Sequence, residues 1–234
     1  MRRRVLASLG GGWKNPYVTE GLIAMWDGIE RTGSTADSWV DLVSGKKLSI
    51  DASAAFTSNS LSARNFQGKM FVSDGFDELP FRTIEVVIRS SILDAKKYIV
   101  FALAPRVETV LYRLFALTSY YTNGNPLCLN AGNGRLYYNL GNPADSADKT
   151  NSYSIVYNGT SRTANASAAY KNASLLTGTG AQSHGADGFS LNCANGNMDV
   201  DVFCIRFYSS ALTAAQIAAN NAVDVERFNL PDAA

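Results

Sequence analysis

The sequence predicts an all-β chain closed by one short α-helix, and three observations predict it. Short runs rich in Val, Ile, Tyr and Phe are separated by clusters of Gly, Asn, Asp and Ser at intervals of roughly 8–12 residues, as in a sandwich of short strands. Residues 199–208 read as one such strand, with Val200 and Val202 alternating with Asp199 and Asp201. The period then changes. Thr213 and Gln216 have capping-box spacing, and Leu212 and Ile217 occupy the two positions of a hydrophobic staple, so the strand runs directly into a helix. The 234 residues, 46% of them apolar, suffice for one full core, and all-β sandwiches of this length commonly form a single domain. A formal charge of +1 supplies no acidic or basic field that would select a nucleic acid or a membrane.

Residues 1–17 read as an arm ahead of a single domain at 18–234. Gly10, Gly11 and Gly12 would lose too much backbone entropy inside a packed element, and Arg2, Arg3 and Arg4 form the arm's charge cluster. The basic start mimics a signal peptide, but the apolar stretch 5–9 is too short for its hydrophobic region. No stretch has the length of a membrane span. The segment 22–29 opens the domain, with Leu22, Ala24 and Trp26 alternating with Ile23, Met25 and Asp27. Both faces are mostly apolar, so the strand is expected to be covered on both sides. Trp39, Leu42 and Leu48 surround a Ser44-Gly45 turn, and Trp26 and Trp39 are expected in the core.

Residues 54–72 divide into AAFTSN, LSARNFQG and KMFVS, runs suited to hairpin strands joined by polar turns. At 81–90, Ile84, Val86 and Ile88 share one face, with Thr83, Glu85, Val87 and Arg89 on the other. Runs at 98–104 and 110–118 continue the walls. At 152–157, Tyr153, Ile155 and Tyr157 oppose Ser154 and Val156, before a turn at Asn158-Gly159. The segment 178–188 is small and polar and holds His184, the single histidine. Cys128, Cys193 and Cys204 are odd in number; they read as reduced thiols rather than a disulfide framework. The sequons at Asn158, Asn165 and Asn172 read as loop chemistry.

Three stretches carry a resemblance. GLIAMWDGI (21–29), SWVDLVSGKKLSI (38–50) and the strand, SSALT corner and helix of 199–220 resemble the opening strand, the tryptophan-aspartate-leucine-serine-glycine turn and the closing segment of the concanavalin A-like, or laminin G-like, family. That resemblance implies a two-sheet antiparallel jelly-roll sandwich with one short C-terminal α-helix, spanning 21–228. AAYKNASLL (168–176) is similar to the family's hairpin, with Ala173 where glycine is usual. Glycosidases built on this fold carry E-x-D-x-x-E on one strand. Asp199 and Asp201 have the alternation without the glutamates, so no enzyme is expected and no catalytic residue is assigned. No cofactor is expected. Loop calcium, which some family members bind, would take its ligands from Asp74, Asp77, Asp145, Asp148 or Asp187.

The most unusual composition lies at 120–143. Asn123-Gly124 and Asn133-Gly134 are tight-turn dipeptides flanked by Tyr120, Tyr121, Tyr137 and Tyr138. One ring of each pair faces outward if the segments are strands. An exposed ring beside asparagine amides can stack on a pyranose while the amides bond its hydroxyls, so Tyr120, Tyr121, Asn123, Asn133, Tyr137 and Tyr138 are the candidate carbohydrate-binding residues. Edge-strand packing accounts for the same tyrosines without a ligand.

Arg2, Arg3 and Arg4, with Trp13 and Tyr17 as apolar anchors, are the candidate assembly anchor. Short proteins with this opening and closing pattern are similar to bacteriophage and prophage proteins of gut bacteria. That likeness implies a virion protein, assembled in the bacterial cytoplasm and released by lysis. It would be a capsid decoration, head fibre or tail-associated protein, multicopy or homo-oligomeric, held to other virion proteins by its arm and meeting polysaccharide with its head. The competing expectations are a carbohydrate-binding module of a bacterial surface protein and a glycoside hydrolase or lyase with unrecognised acids.

Overall fold

A computed structural model describes residues 14–73, 81–91, 98–102, 113–119, 127–132, 136–139, 148–159, 166–179 and 190–230. In chain order its strands are β1 (Leu22–Asp27), β2 (Ser38–Val40), β3 (Lys47–Ile50), β4 (Ala54–Phe56), β5 (Leu61–Ser73), β6 (Thr83–Ser90), β7 (Tyr98–Ala102), β8 (Arg113–Ser119), β9 (Leu127–Gly132), β10 (Leu136–Asn139), β11 (Asn151–Tyr157), β12 (Ala166–Lys171), β13 (Ser174–Leu175), β14 (Gly178–Thr179) and β15 (Ser190–Tyr208). One helix, α1 (Ala214–Phe228), follows. All strand pairings are antiparallel.

The spine is β15. The sequence marked only its second half, 199–208, as a strand, but the ladder begins at Ser190. On one flank β15 pairs with β5 and then β1; on the other it pairs with β7 and then β6. Two sheets therefore diverge from one strand. The first runs β1-β15-β6-β11-β12-β13, and the second runs β2-β3-β5-β15-β7-β8-β9-β10-β14, with β4 added to β5. Between them lies the main core. Trp26, Ile84, Val86, Ile155, Ile205 and Phe207 from the first sheet meet Trp39, Leu48, Leu61, Met70 and Phe71 from the second. Edge-to-face ring pairs lace it, among them Phe81–Phe207 at 5.2 Å, Phe81–Tyr157 at 5.7 Å and Trp39–Phe71 at 6.3 Å.

The alternation expected for β6 and β11 holds residue by residue. Ile84, Val86 and Ile88, with Tyr153, Ile155 and Tyr157, face the main core, while Val87 and Val156 belong to the clusters on the opposite face. In β1 the expected faces need correction. A register shift between Leu22 and Ala24 puts Leu22 in the clusters on the helix side, while Ile23 packs with Ala24 and Trp26 on the main core. The three runs expected at 54–72 become β4 and one long β5. Asn65 takes a positive φ of 48° within β5, and register shifts in its pairing with β15 absorb the irregularity that reads in sequence as a break.

The 38–45 motif has a physical cause. Asp41, 1% exposed, accepts from the amides of Met25 (2.6 Å), Val43 (2.9 Å) and Ser44 (2.8 Å) and from the Ser44 hydroxyl, fastening the turn to β1. Gly45 follows at φ 77°, a conformation that disfavours a side chain. The two buried indoles are satisfied crosswise: Trp26 Nε1 donates to the Trp39 carbonyl (3.1 Å) and Trp39 Nε1 to the Asp27 carbonyl (3.2 Å).

Helix α1 starts as its sequence predicts. Thr213 Oγ1 accepts from the Gln216 amide at 3.3 Å, the Thr213 amide donates to Gln216 Oε1 at 2.9 Å, and Leu212 and Ile217 share one apolar cluster. The helix runs beyond the expected Asn220 to Phe228, where Asn229 caps it at φ 54°. It covers its own sandwich: Phe228 meets Met25, Val87 and Phe203 on the outer face of the first sheet.

Candidate functional site

Under α1 the outer face of the first sheet carries charge rather than hydrocarbon. Arg206 of β15, 1% exposed, donates from Nε to Glu85 Oε2 (3.0 Å) and from both terminal nitrogens to Asp224 (2.7 and 2.6 Å). Asn220 donates to Glu85 Oε2 (2.7 Å) and to the Tyr208 hydroxyl (2.9 Å); Ser154 donates to Glu85 and Ser152 to Asp224. The Tyr17 ring lies 4.1 Å from the Arg206 guanidinium. Arg227 donates to the Tyr17 hydroxyl (3.2 Å) and pairs with Asp27. Burial raises the Glu85 and Asp27 carboxyls above the ordinary range, although Arg206 and Arg227 respectively oppose it.

These groups saturate one another beneath a helix, so their work is to dock α1 and the segment before β1. Tyr17, expected with Trp13 to anchor on a partner, is 4% exposed and packs inside this chain. One sequence signal pointed to the network: Arg206 interrupts an otherwise apolar strand, and an arginine there requires buried counter-charges.

Of the residues expected to bind carbohydrate, Tyr120, Tyr121, Asn123 and Asn133 lie outside the described residues. So do Arg2, Arg3, Arg4 and Trp13 of the arm, His184, and Asp74, Asp77, Asp145 and Asp187. Asp148 is exposed at φ 58°, and no group of three or more His, Cys, Asp or Glu among the described residues is placed to hold a metal.

Tyr137 and Tyr138 are on β10, and the ladder separates them. Tyr137 opposes Asn130 on β9 and Thr179 on β14, whereas Tyr138 opposes Leu129 and Gly178. Cross-strand partners share a face and successive residues alternate. The Tyr138 row continues in register through Leu129, Leu117, Ile99 and Cys193, beside the row Phe115, Phe101, Leu191 and Phe71. Phe71 is in the main core, at 1% exposure. Tyr137, Asn139, Asn130 and Thr179 occupy the register positions that alternate with the Tyr138 row.

Asp199 and Asp201, weighed in sequence as catalytic acids, are placed on the outer side of β15. Asp199 is exposed and accepts from the Asn65 amide (2.8 Å). Asp201 is 3% exposed and bonded to Ser62, Arg64 and Arg89. Cys204 is a buried free thiol whose pKa burial raises, so it is unreactive.

No family model matches the chain, and no curated protein does. Among solved structures it is similar to a Trypanosoma rangeli sialidase in complex with sialic acid, at 15% identity and TM-score 0.61, over 86% of this chain and 32% of that one. It is also similar to the receptor-binding domain of botulinum neurotoxin type G (11% identity, TM-score 0.58, 88% and 52% of the two chains) and to the binding domain of botulinum neurotoxin serotype D/C (11%, 0.60, 87% and 52%). The chain spans about a third of the sialidase and about half of each toxin domain. At these identities the likeness establishes a shared β-sandwich fold.

Proposed function

We propose that this chain is a non-catalytic carbohydrate-binding β-sandwich, carried in multiple copies on a bacteriophage particle as a capsid decoration, head-fibre or tail-associated protein and meeting host or mucosal glycans. The observation that carries the binding half is the β10 register, which sets Tyr137 in one cross-strand row with Asn130 and Thr179, two residues from Asn139 and alternating with Tyr138. One aromatic ring with amides and a hydroxyl around it is the chemistry a pyranose requires. Similar sandwiches in a sialidase solved with sialic acid and in toxin receptor-binding domains support this reading. The particle half rests on the arm's sequence: three arginines and Trp13 precede Tyr17, which is itself fixed under α1.

The test is a polysaccharide array probed with the full chain and with Tyr137→Ala and Tyr138→Ala. Tyr137→Ala is expected to weaken binding about tenfold, the equivalent of ~1.4 kcal/mol of lost stacking, with unchanged stability. Tyr138→Ala, in the alternate row of β10, is expected to leave binding unchanged. Equal binding by wild type and Tyr137→Ala would discard this row. For the particle half, the full chain should co-sediment with phage particles from a lysate of the producing cell, and a chain beginning at Lys14 should not. If neither sediments while both bind polysaccharide, the protein is a glycan-binding module of another setting.

A further inference from the structure

Among the described residues, a polar cluster on the sandwich lies beyond the cover of α1. On β6, Glu85 and Val87 lie beneath α1, and Arg89 is the next residue on that face. On β15, Phe203 packs against Phe228 near the end of the helix, and Asp201 lies just beyond it. There Asp201 takes a complete set of donors. The Ser62 hydroxyl and Arg64 Nη2 (2.7 Å) reach Oδ1, and Arg89 Nε (2.9 Å) and Nη2 (2.6 Å) reach Oδ2. A carboxylate has about four lone-pair sites, and all four are used. A hydroxyl row, Thr57–Ser60–Ser62 at 2.7 and 2.8 Å, fixes the donor on one side.

The arginines are not used up in the same way. Their side chains are 50% and 44% exposed, against 4% for Asp201. Among the described residues, Arg89 Nη1 and Arg64 Nε have no acceptor, while Arg64 Nη1 leans on the Ala63 and Val200 carbonyls (3.2 and 3.4 Å). One buried carboxylate thus holds two guanidiniums from the strands on either side of its own, with N–H groups left for solvent. A guanidinium fork matches the paired oxygens of an oxyanion, and holding it in advance reduces the entropy lost on binding. Asp199 lies two residues away on the same strand, so the four charged groups sum to zero. Recognition here depends on fork geometry rather than a positive field, which disfavours a phosphate backbone and favours a discrete anionic group.

We propose that Arg64 and Arg89, braced by Asp201, form a subsite for the oxyanion of an acidic saccharide, a carboxylate or a sulfate. This rests on the carbohydrate-binding reading above and names its ligand class. The experiment measures binding of the full chain to polygalacturonate and to its full methyl ester, which share a backbone but not a charge, and to dextran sulfate against dextran. Wild type is expected to prefer the acidic member of at least one pair by tenfold or more. The pair that shows the preference identifies carboxylate or sulfate as the source.

Arg64→Lys/Arg89→Lys keeps cations beside Asp201 but removes both forks, and should abolish the preference while retaining binding to the uncharged polymer. Arg64→Lys alone, at the more exposed position, should lose part of it and provides the fallback where the double variant fails to fold. Tyr137→Ala should weaken charged and uncharged polymers alike. A wild type that binds the uncharged polymers without acid preference, a preference that survives the double variant, or equally tight binding to duplex DNA would overturn the subsite and leave the carbohydrate reading standing. Absence of binding to every polymer would overturn both.

Discussion

Ala173 and Asn172 occupy the two central positions of the turn between β12 and β13 at φ 63° and 47°, the left-handed pair of a type I′ hairpin. Asparagine tolerates that conformation, and here it is also used: Asn172 accepts from the Ser152 amide (2.8 Å) and donates to Asn151 (3.0 Å) while 7% exposed. That burial leaves its sequon no room for a glycan. Alanine gains nothing from positive φ, so Ala173→Gly should stabilise the protein by about 1 kcal/mol and raise its Tm by roughly 2–4 °C in thermal unfolding. Asp201 supplies a second prediction. Burial alone would raise its carboxyl, but the hydrogen bonds from Ser62, Arg64 and Arg89 and the Arg89 charge outweigh it and hold the carboxyl below its ordinary value. A depressed carboxyl stabilises the fold at pH values above its unfolded pKa of about 3.9 and loses that contribution as pH falls through the folded value. Asp201→Asn should therefore be less stable than wild type by about 1–3 kcal/mol at pH 7, with the gap closing below pH 4 in urea titrations. Glu85 and Asp27, whose carboxyls are raised, act with the opposite sign, so the difference between the two proteins isolates Asp201.

At the scale of the element, α1 is governed at its start by local chemistry and along its length by the sheet beneath it. The capping box needs only residues within one turn, and the sequence shows it outright. The far end depends on Phe228 meeting Phe203 and on Asp224 meeting Arg206, partners 18 or more residues away in the chain. Arg206→Ala would strand Glu85 and Asp224 without their counter-ion, a loss of about 3–5 kcal/mol for a buried pair of this kind. Hydrogen exchange should then show the α1 amides opening well before those of β6 and β11. Equal protection in all three would mean that the helix is held by its apolar contacts alone.

For the whole molecule, Tyr17 ties the segment before β1 to the sandwich, its ring lying 4.1 Å from the Arg206 guanidinium and 5.4 Å from that of Arg227. Tyr17→Ala should destabilise the whole sandwich by about 3–5 kcal/mol, as deletion of a buried aromatic ring does. Removal of residues 1–13 should leave the urea midpoint where it is. A midpoint shifted by that removal would show that the arm contributes to the fold as well as to any docking. The same scale holds the spine: β15 belongs to both sheets, pairing with β7 over Ser190–Ala194 and with β6 over Val200–Tyr208.

How much was legible follows the range of each interaction. The sequence by itself determined the sandwich, the core faces of β6 and β11, the two tryptophans and the helix start, because alternation, apolar content and capping act over a few residues. It also narrowed the carbohydrate candidates to paired tyrosines and the asparagines between them, without saying which partners Tyr137 and Tyr138 meet across the sheet. Only the tertiary structure decided those partners, because they depend on the hydrogen-bonding register of β10 with β9 and β14. It likewise decided that Tyr17 is buried, that β5 is one strand, and that Arg64, Arg89 and Asp201 meet. Residues more than a hundred positions apart come together only when the sheet closes, and no local pattern encodes that distance.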